Sequence, residues 1–338
     1  MKCWWTSMEL RKLQQTGGVD GTFLISLPKK WVMKRHLKRG DVVQVNERGD
    51  GSLILAPQIE SINELTESTI PLEQNIRRRI LSSYLLGFDK IKVTSGKRLS
   101  PEERENIKKI VRRLVGVEIV EESASEIVLQ ALIAPSGVQI DQTLRRIYLL
   151  ANKMHKDSFV AFLDNDTKLA QNVIDRDDEV DRFYFLAVRQ LRAVIQEPSL
   201  AEKMNVSPVE CLDYRVLAKS LESLADRAVE IAETVSLLQT YDRGDYKQIF
   251  EPFKSLNEFV VKMHQQAFNA VLNKDPILAD KILAMRKQFL EQYEKVETIL
   301  VKQTPEQAKV LFLDLKDMLE IVAAISEIAL DIADLVSE

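Results

Sequence analysis

Five carboxylates at helical spacing are the residues of this chain best suited to chemistry. Glu222, Asp226 and Glu230 follow one another at intervals of four, and Asp177 and Asp181 form a second pair with the same interval. Residues four apart stack on one stripe of a helix, so each set presents its oxygens in a row. Like charges at that spacing cost about 0.2–0.5 kcal/mol per pair when nothing compensates them. One such stripe alone reads as a solvated acidic face. Two stripes that face each other across neighbouring helices form instead a site of hard oxygen donors. Such a site suits Mg²⁺, Mn²⁺ or Ca²⁺ and is compatible with a carboxylate-bridged iron or zinc cluster.

The elements that would position these side chains are legible from apolar spacing. Leu217, Leu221, Leu224, Ala228, Ile231, Val235 and Leu238 mark the buried seam of the helix that carries Glu222, Asp226 and Glu230. Val173, Val180, Tyr184, Val188 and Leu191 mark the seam of the helix that carries Asp177 and Asp181. Small residues at Ala218, Ala225 and Ala228 allow the helices to approach closely.

From Gln139 onward the chain repeats itself. Lys153-Met154-His155 and Phe159 recur as Lys262-Met263-His264 and Phe268, an offset of 109, and Asp166 falls on Asp275. The third helix repeats at an offset of 101: Leu221 falls on Val322, Leu224 on Ile325, Asp226 on Glu327 and Glu230 on Asp331. The eight-residue difference predicts a longer loop around residues 197–208 of the first unit. Each unit is expected to be three antiparallel helices, residues 138–245 and 246–338, together a six-helix body. The second unit has lost half of its carboxylates, because Arg286 and Leu290 stand opposite Asp177 and Asp181, and Ala323 opposite Glu222. Glu327 and Asp331, with Asp334, remain as a reduced second metal set, and Arg286 is expected to neutralise Glu327 in place of a cation. His155 and His264 lack an accompanying Glu-x-x-His ligand pair and read as packed or surface histidines rather than metal ligands.

The N-terminal 57 residues differ in kind. They carry ten Lys/Arg against five acids, a balance of +5, on a chain whose net charge is −4. Short strands are expected at residues 11–15, 22–26, 42–46 and 52–56, with turns at Thr16–Gly21, Gly40-Asp41 and Arg48–Gly51, and a helix from Pro28 to about His36. So small a module buries little apolar surface alone, which predicts pairing with a second copy. Arg11, Lys12, Lys29 and Lys30 are the candidate phosphate contacts of a DNA-binding surface. Residues 58–137 read as an α/β connector. Helices are expected at 72–86 and 100–114, and strands at 91–94, 117–121 and 127–133, with Arg77-Arg78-Arg79 on an exposed face.

Composition narrows the class. The 338 residues are 45% hydrophobic and 29% charged, with two cysteines, Cys3 and Cys211, far apart and without a metal-ligand spacing. No apolar run approaches the roughly 20 residues that span a bilayer. Met1-Lys2-Cys3-Trp4-Trp5 leads straight into charged sequence, so no secretory signal and a cytoplasmic location are expected. There is no Gly-rich phosphate cradle and no nucleophile beside a histidine base, which argues against an enzyme. A carboxylate-bound dinuclear hydrolase is the weakest of the alternatives.

Two resemblances follow from these motifs. Arg11-Lys12-Leu13-Gln14-Gln15-Thr16-Gly17-Gly18, Ser26-Leu27-Pro28-Lys29-Lys30-Trp31 and Leu37-Lys38-Arg39-Gly40-Asp41 resemble the AbrB/SpoVT-like swapped-hairpin domain. That resemblance implies an intertwined homodimer whose basic strands and loops grip DNA. Asp177-Asp178-Glu179-Val180-Asp181 and Glu222-Ser223-Leu224-Ala225-Asp226, followed by Glu230-Ile231-Ala232-Glu233, resemble the paired metal-binding motifs of the PhoU family of phosphate-signalling regulators. Together they imply a multi-domain chain: a small β-rich head, an α/β connector and a PhoU-like all-α body. This is the architecture of an archaeal-type phosphate uptake regulator. Implied partners are DNA, through the head, and a phosphate ABC transporter ATPase or sensor protein. Metal is expected at Asp177, Asp181, Glu222, Asp226 and Glu230. A head that only dimerises, on a metal-binding transporter adaptor, is the alternative.

Overall fold

The computed structural model describes residues 9–17, 21–47, 51–57, 65–237, 247–303 and 309–336. The chain divides into two units, residues 1–64 and 65–338.

In the first unit β1 (Gln14–Thr16) pairs antiparallel with β2 (Thr22–Leu24), so that Gln14 lies opposite Leu24. Helix α1 (Lys29–Lys34) follows, and β3 (Val43–Glu47) pairs antiparallel with β4 (Leu53–Pro57). Pro28 stands one place before the helix, not at its first position, because its backbone is extended (φ −59°, ψ 123°). Its carbonyl accepts from the amides of Trp31 and Val32 at 2.9 and 3.1 Å and so opens the helical ladder. The turn residues Gly18, Val19 and Asp20, and Arg48, Gly49 and Asp50, lie outside the described residues. Among the described residues of this unit none is buried. Leu13, Phe23, Ile25 and Val45 are all more than half exposed.

The second unit begins with a four-stranded sheet. β5 (Glu67–Pro71) and β6 (Lys90–Thr94) are parallel, joined by α2 (Ile76–Leu85). Helix α3 (Pro101–Arg112) then leads to β7 (Val117–Glu122) and β8 (Glu126–Ala131), giving the order β5-β6-β8-β7. Strand β5 was not expected from the sequence. It is an edge strand with one buried residue, Ile70, so no apolar alternation betrays it. Helix α2 is shorter than expected because Asn75 takes a left-handed conformation (φ 69°), from which a helix can start but not continue. Helix α3 starts on a reciprocal Ser100–Glu103 capping box, as its sequence predicts.

The body runs through α4 (Ile140–Asp164), α5 (Thr167–Gln196), the short α6 (Pro198–Met204), α7 (Glu210–Leu237), α8 (Lys247–Asn273), α9 (Pro276–Gln303) and α10 (Lys309–Ala333). Helices α4, α5 and α7 pack on one another, as do α8, α9 and α10, and α4 meets α8 while α7 meets α10. One apolar core runs through both sets. Leu217, Leu221, Leu224, Ala228, Ile231 and Val235 are fully buried, and so are Val322, Ile325 and Ala329 in the second set; Leu238 lies outside the described residues. Helix α6 supplies the extra length of the first repeat. The α4–α5 corner repeats as well. Asn165 is left-handed (φ 57°) and Asp166 caps α5, while Lys274 (φ 51°) and Asp275 do the same for α9.

Sheet and body are clasped by two adjacent polar residues of α5. Arg189, 2% exposed, donates to the carbonyls of Tyr84 (2.7 Å), Phe88 (3.0 Å) and Gly87 (3.3 Å) at the end of α2, and its guanidinium covers the Tyr84 ring. Gln190 donates to the carbonyls of Pro135 and Val138 and accepts from Thr143. One buried cation thereby serves three carbonyls at the helix end, of which that of Tyr84 also accepts from the Gly87 amide at 3.1 Å.

Candidate metal centre

Helices α5 and α7 run side by side, and Ala218, Ala225 and Ala228 on α7 are fully buried, which leaves room for close contact. Asp177 and Asp181 from α5 lie close enough to Glu222 and Asp226 from α7 for their charges to be felt across the helix pair. Burial raises the proton affinity of Asp177, and the charges of Asp226 and Glu222 raise it further. Asp181 is raised first by burial and then by Asp177, with Arg113 and Arg77 pulling the other way. Glu222 is raised by burial against the hydrogen bond from Lys219, with Asp226 and Asp181 adding to the rise. Mutual repulsion among half-buried carboxylates is the electrostatic condition that a bound cation relieves.

One cation is already present. The Lys219 ammonium pairs with Glu222 and lies 3.9 Å from Asp226. Burial lowers its proton affinity, but the two carboxylates outweigh burial and hold it above the ordinary lysine value. Lys219 lies three residues before Glu222, a spacing that marks it in the sequence as a partner on the same helix face. Among the described residues, no three His, Cys, Asp or Glu side chains stand as a ready-made ligand set. The oxygen donors are of the type a hard cation takes, while in this arrangement the Lys219 ammonium supplies the compensating charge.

Glu230 does not join the other four. It is held at 2.6 Å by Arg227 and lines a cleft with Asp317, Glu320 and Ile321 at α10. The reason is helical phase. Eight residues advance an α-helix by about 80° beyond two full turns, so the stripe that faces α5 at Glu222 faces α10 by Glu230. Among the described residues the second repeat does not assemble a donor set either. Arg286 holds Glu327 at 3.2 Å, as the loss of the facing acids predicts, and Asp331 and Asp334 are exposed.

The bundle that holds these acids is the part of the chain with a recognised counterpart. Residues 144–235 match the PhoU domain. The PhoU-matching segment includes all four converging carboxylates and Lys219. A curated relative, the phosphate-specific transport system accessory protein PhoU homolog of Xylella fastidiosa, is 26% identical over 124 residues, 36% of this chain and 49% of that protein. The chain therefore spans about half the length of the curated relative it matches. A crystal structure of PhoU from Pseudomonas aeruginosa aligns over 58% of this chain and 93% of that one, with 20% identity and a TM-score of 0.45.

The basic candidates lie in the other unit. Arg11 is paired with Glu9, while Lys12, Lys29 and Lys30 are exposed, the last two in the first turn of α1. His155 and His264 are fully buried in the body and bonded to each other, away from the carboxylates. No described helix is long and apolar enough to cross a membrane.

Proposed function

We propose that the chain is a phosphate-responsive regulator whose body holds a divalent or trivalent cation between α5 and α7 and whose head binds DNA as a homodimer. One coincidence carries the reading. The segment that matches the PhoU domain is also the segment in which Asp177, Asp181, Glu222 and Asp226 converge and repel one another. These four would hold the ion, which supplies the positive charge that cross-links the two helices. The kinship of the body with a transport accessory protein supports a phosphate-transport system as its partner. A non-enzymatic role follows from the absence of any nucleophile–base pair in the sequence motifs.

The head reading rests on charge and on exposed apolar surface. A balance of +5 over residues 1–57 favours phosphate backbones. Exposed Leu13, Phe23, Ile25 and Val45 favour a second copy of the head as their cover. That apolar surface also supports a second reading, in which the head only dimerises and the protein is an adaptor for a transporter.

One measurement tests the metal site and a second separates the two readings of the head. Elemental analysis of the purified chain should find metal that Asp177→Ala with Asp226→Ala removes; unchanged metal content refutes the site. Salt-dependent DNA retardation, lost on Arg11→Ala with Lys12→Ala, supports the regulator. No retardation even at low salt leaves the adaptor.

A further inference from the structure

Beside the carboxylate centre lies a cleft of about 630 Å³ between the sheet-side helices α2 and α3 and the outer face of α5. Five cations line it: Arg77 from α2, Lys109, Arg112 and Arg113 from α3 and its C-cap, and Arg182 from α5. Three carboxylates line it too, two of them paired with arginines. Asp178 pairs with Arg113, Glu179 pairs with Arg146 from outside the cleft at 2.5 Å, and Asp175 accepts from Gln171 at 2.9 Å. Arg112 is 3.8 Å from Glu105. Arg77, Lys109 and Arg182 have no carboxylate within 4 Å among the described residues, and the Arg182 Nε is buried without a hydrogen-bond partner. The buried Arg182 Nε is a donor left without an acceptor, which is costly, and the exposed Arg77 and Lys109 stand beside it as cations free to meet an anion.

We propose that this cleft binds a small phosphoryl anion, either free phosphate or pyrophosphate or the phosphate groups of a nucleotide. Guanidinium forks and an ammonium converging from three helices match the tetrahedral, multiply charged oxygens of a phosphoryl group better than a planar carboxylate. The volume accommodates anything from orthophosphate to a nucleoside triphosphate. The site is built by the connector and α5 together, so an anion there would hold the sheet against the body. The cleft shares no lining residue with the four acids of the metal reading, although Arg113 and Arg77 also act on Asp181.

Equilibrium dialysis of the full-length chain, in chelator and at low ionic strength, against radiolabelled orthophosphate, pyrophosphate and ATP tests the proposal. Saturable binding of at least one probe is expected, weakening with added salt. Arg77→Gln with Lys109→Gln, both exposed side chains, should weaken it about tenfold or more, while Asp226→Asn should leave it unchanged. Binding of orthophosphate or pyrophosphate as tight as that of ATP identifies free phosphate as the ligand class; tighter ATP identifies a nucleotide. No saturable binding of any probe in the millimolar range overturns the site. So does unchanged affinity in the double variant, or loss of binding in Asp226→Asn. Because the chelator removes metal, failure here leaves the metal reading standing, and the reverse also holds.

Discussion

His155 Nδ1 lies 3.2 Å from His264 Nε2, and the contact joins the first helices of the two repeats at equivalent positions. The outer nitrogens are also engaged: His155 Nε2 is 2.9 Å from Asn257 Oδ1, and His264 Nδ1 is 3.4 Å from the Tyr148 hydroxyl. Tyr148 and Asn257 are themselves equivalent at the offset of 109, so the chain of bonds is nearly symmetric. One proton arrangement satisfies every atom. Tyr148 donates to His264 Nδ1, His264 Nε2–H donates to His155 Nδ1, and His155 Nε2–H donates to Asn257. Both rings are then neutral, as full burial requires.

Acid should therefore unlock the body. Burial lowers His155 from 6.5 to about 4, and lowers His264 as well. The unfolded chain binds more protons than the folded one between these values, so stability is complete above pH 6.5 and is lost as pH falls towards 4. At about pH 5 the His155 contribution is roughly 2 kcal/mol. Urea denaturation at several pH values should show the decline, with a smaller decline in His155→Gln. Ring-nitrogen NMR shifts that report an ordinary histidine titration in the folded protein would contradict it.

Arg189 should be the most sensitive single position between sheet and body. Arg189→Met leaves the Gly87 and Phe88 carbonyls without the guanidinium donor and strips one of two donors from that of Tyr84, and should cost about 2–4 kcal/mol. Arg189→Lys should recover only part of this, since an ammonium cannot reach three acceptors with the geometry of a guanidinium. The loss should appear as faster amide exchange in α2 and β6 at a body that remains helical. Equal exchange in both variants and the parent would show that the sheet is held by apolar contact alone.

The repeat, the three helices per unit and their buried seams were all readable, because apolar period and offset carry that information directly. The Arg286–Glu327 pair was readable too, since a cation replacing an acid opposite an acid has one obvious use. Glu230 shows the limit of interval-of-four spacing, since 3.6 residues per turn carries it round the helix to Arg227 and the α10 side. Arg189 and Gln190 were missed as polar residues inside an apolar run, Leu186-Ala187-Val188 before and Leu191 after. What satisfies them is a distant helix end, which local spacing cannot reveal. The histidine link escaped for the same reason: each His lies on its own repeat, and only packing shows that they meet.

Repeat two offers a constructive test of the metal centre. Arg286→Asp with Leu290→Asp restores the helix-two acids opposite Glu327. Both positions are substantially exposed, so folding should tolerate the change. The lost ion pair alone should cost about 1 kcal/mol or less. The double variant should melt lower than the parent in chelator and regain stability with millimolar Mn²⁺, by an amount that grows with concentration. Absence of any added metal response would mean that acids at these positions do not suffice to form a site.

Asp177→Asn separates repulsion from ligation within repeat one. The folded Asp177 carboxyl holds its proton more readily than the unfolded one, first through burial and then through Asp226 and Glu222. A raised acid contributes stability only while protonated and loses it as pH rises through the folded value, so near neutrality ionised Asp177 opposes folding. Replacing it with the neutral amide removes a like charge from the cluster and should stabilise the chain in chelator by about 0.5 kcal/mol. In metal the order should invert, because the parent gains binding energy that the amide variant has forfeited. Thermal melts of both proteins in chelator and in millimolar Mn²⁺ give the four values required. A variant less stable under both conditions would mean that Asp177 makes a stabilising contact of its own, and the carboxylate cluster would then have no unmet need for a cation.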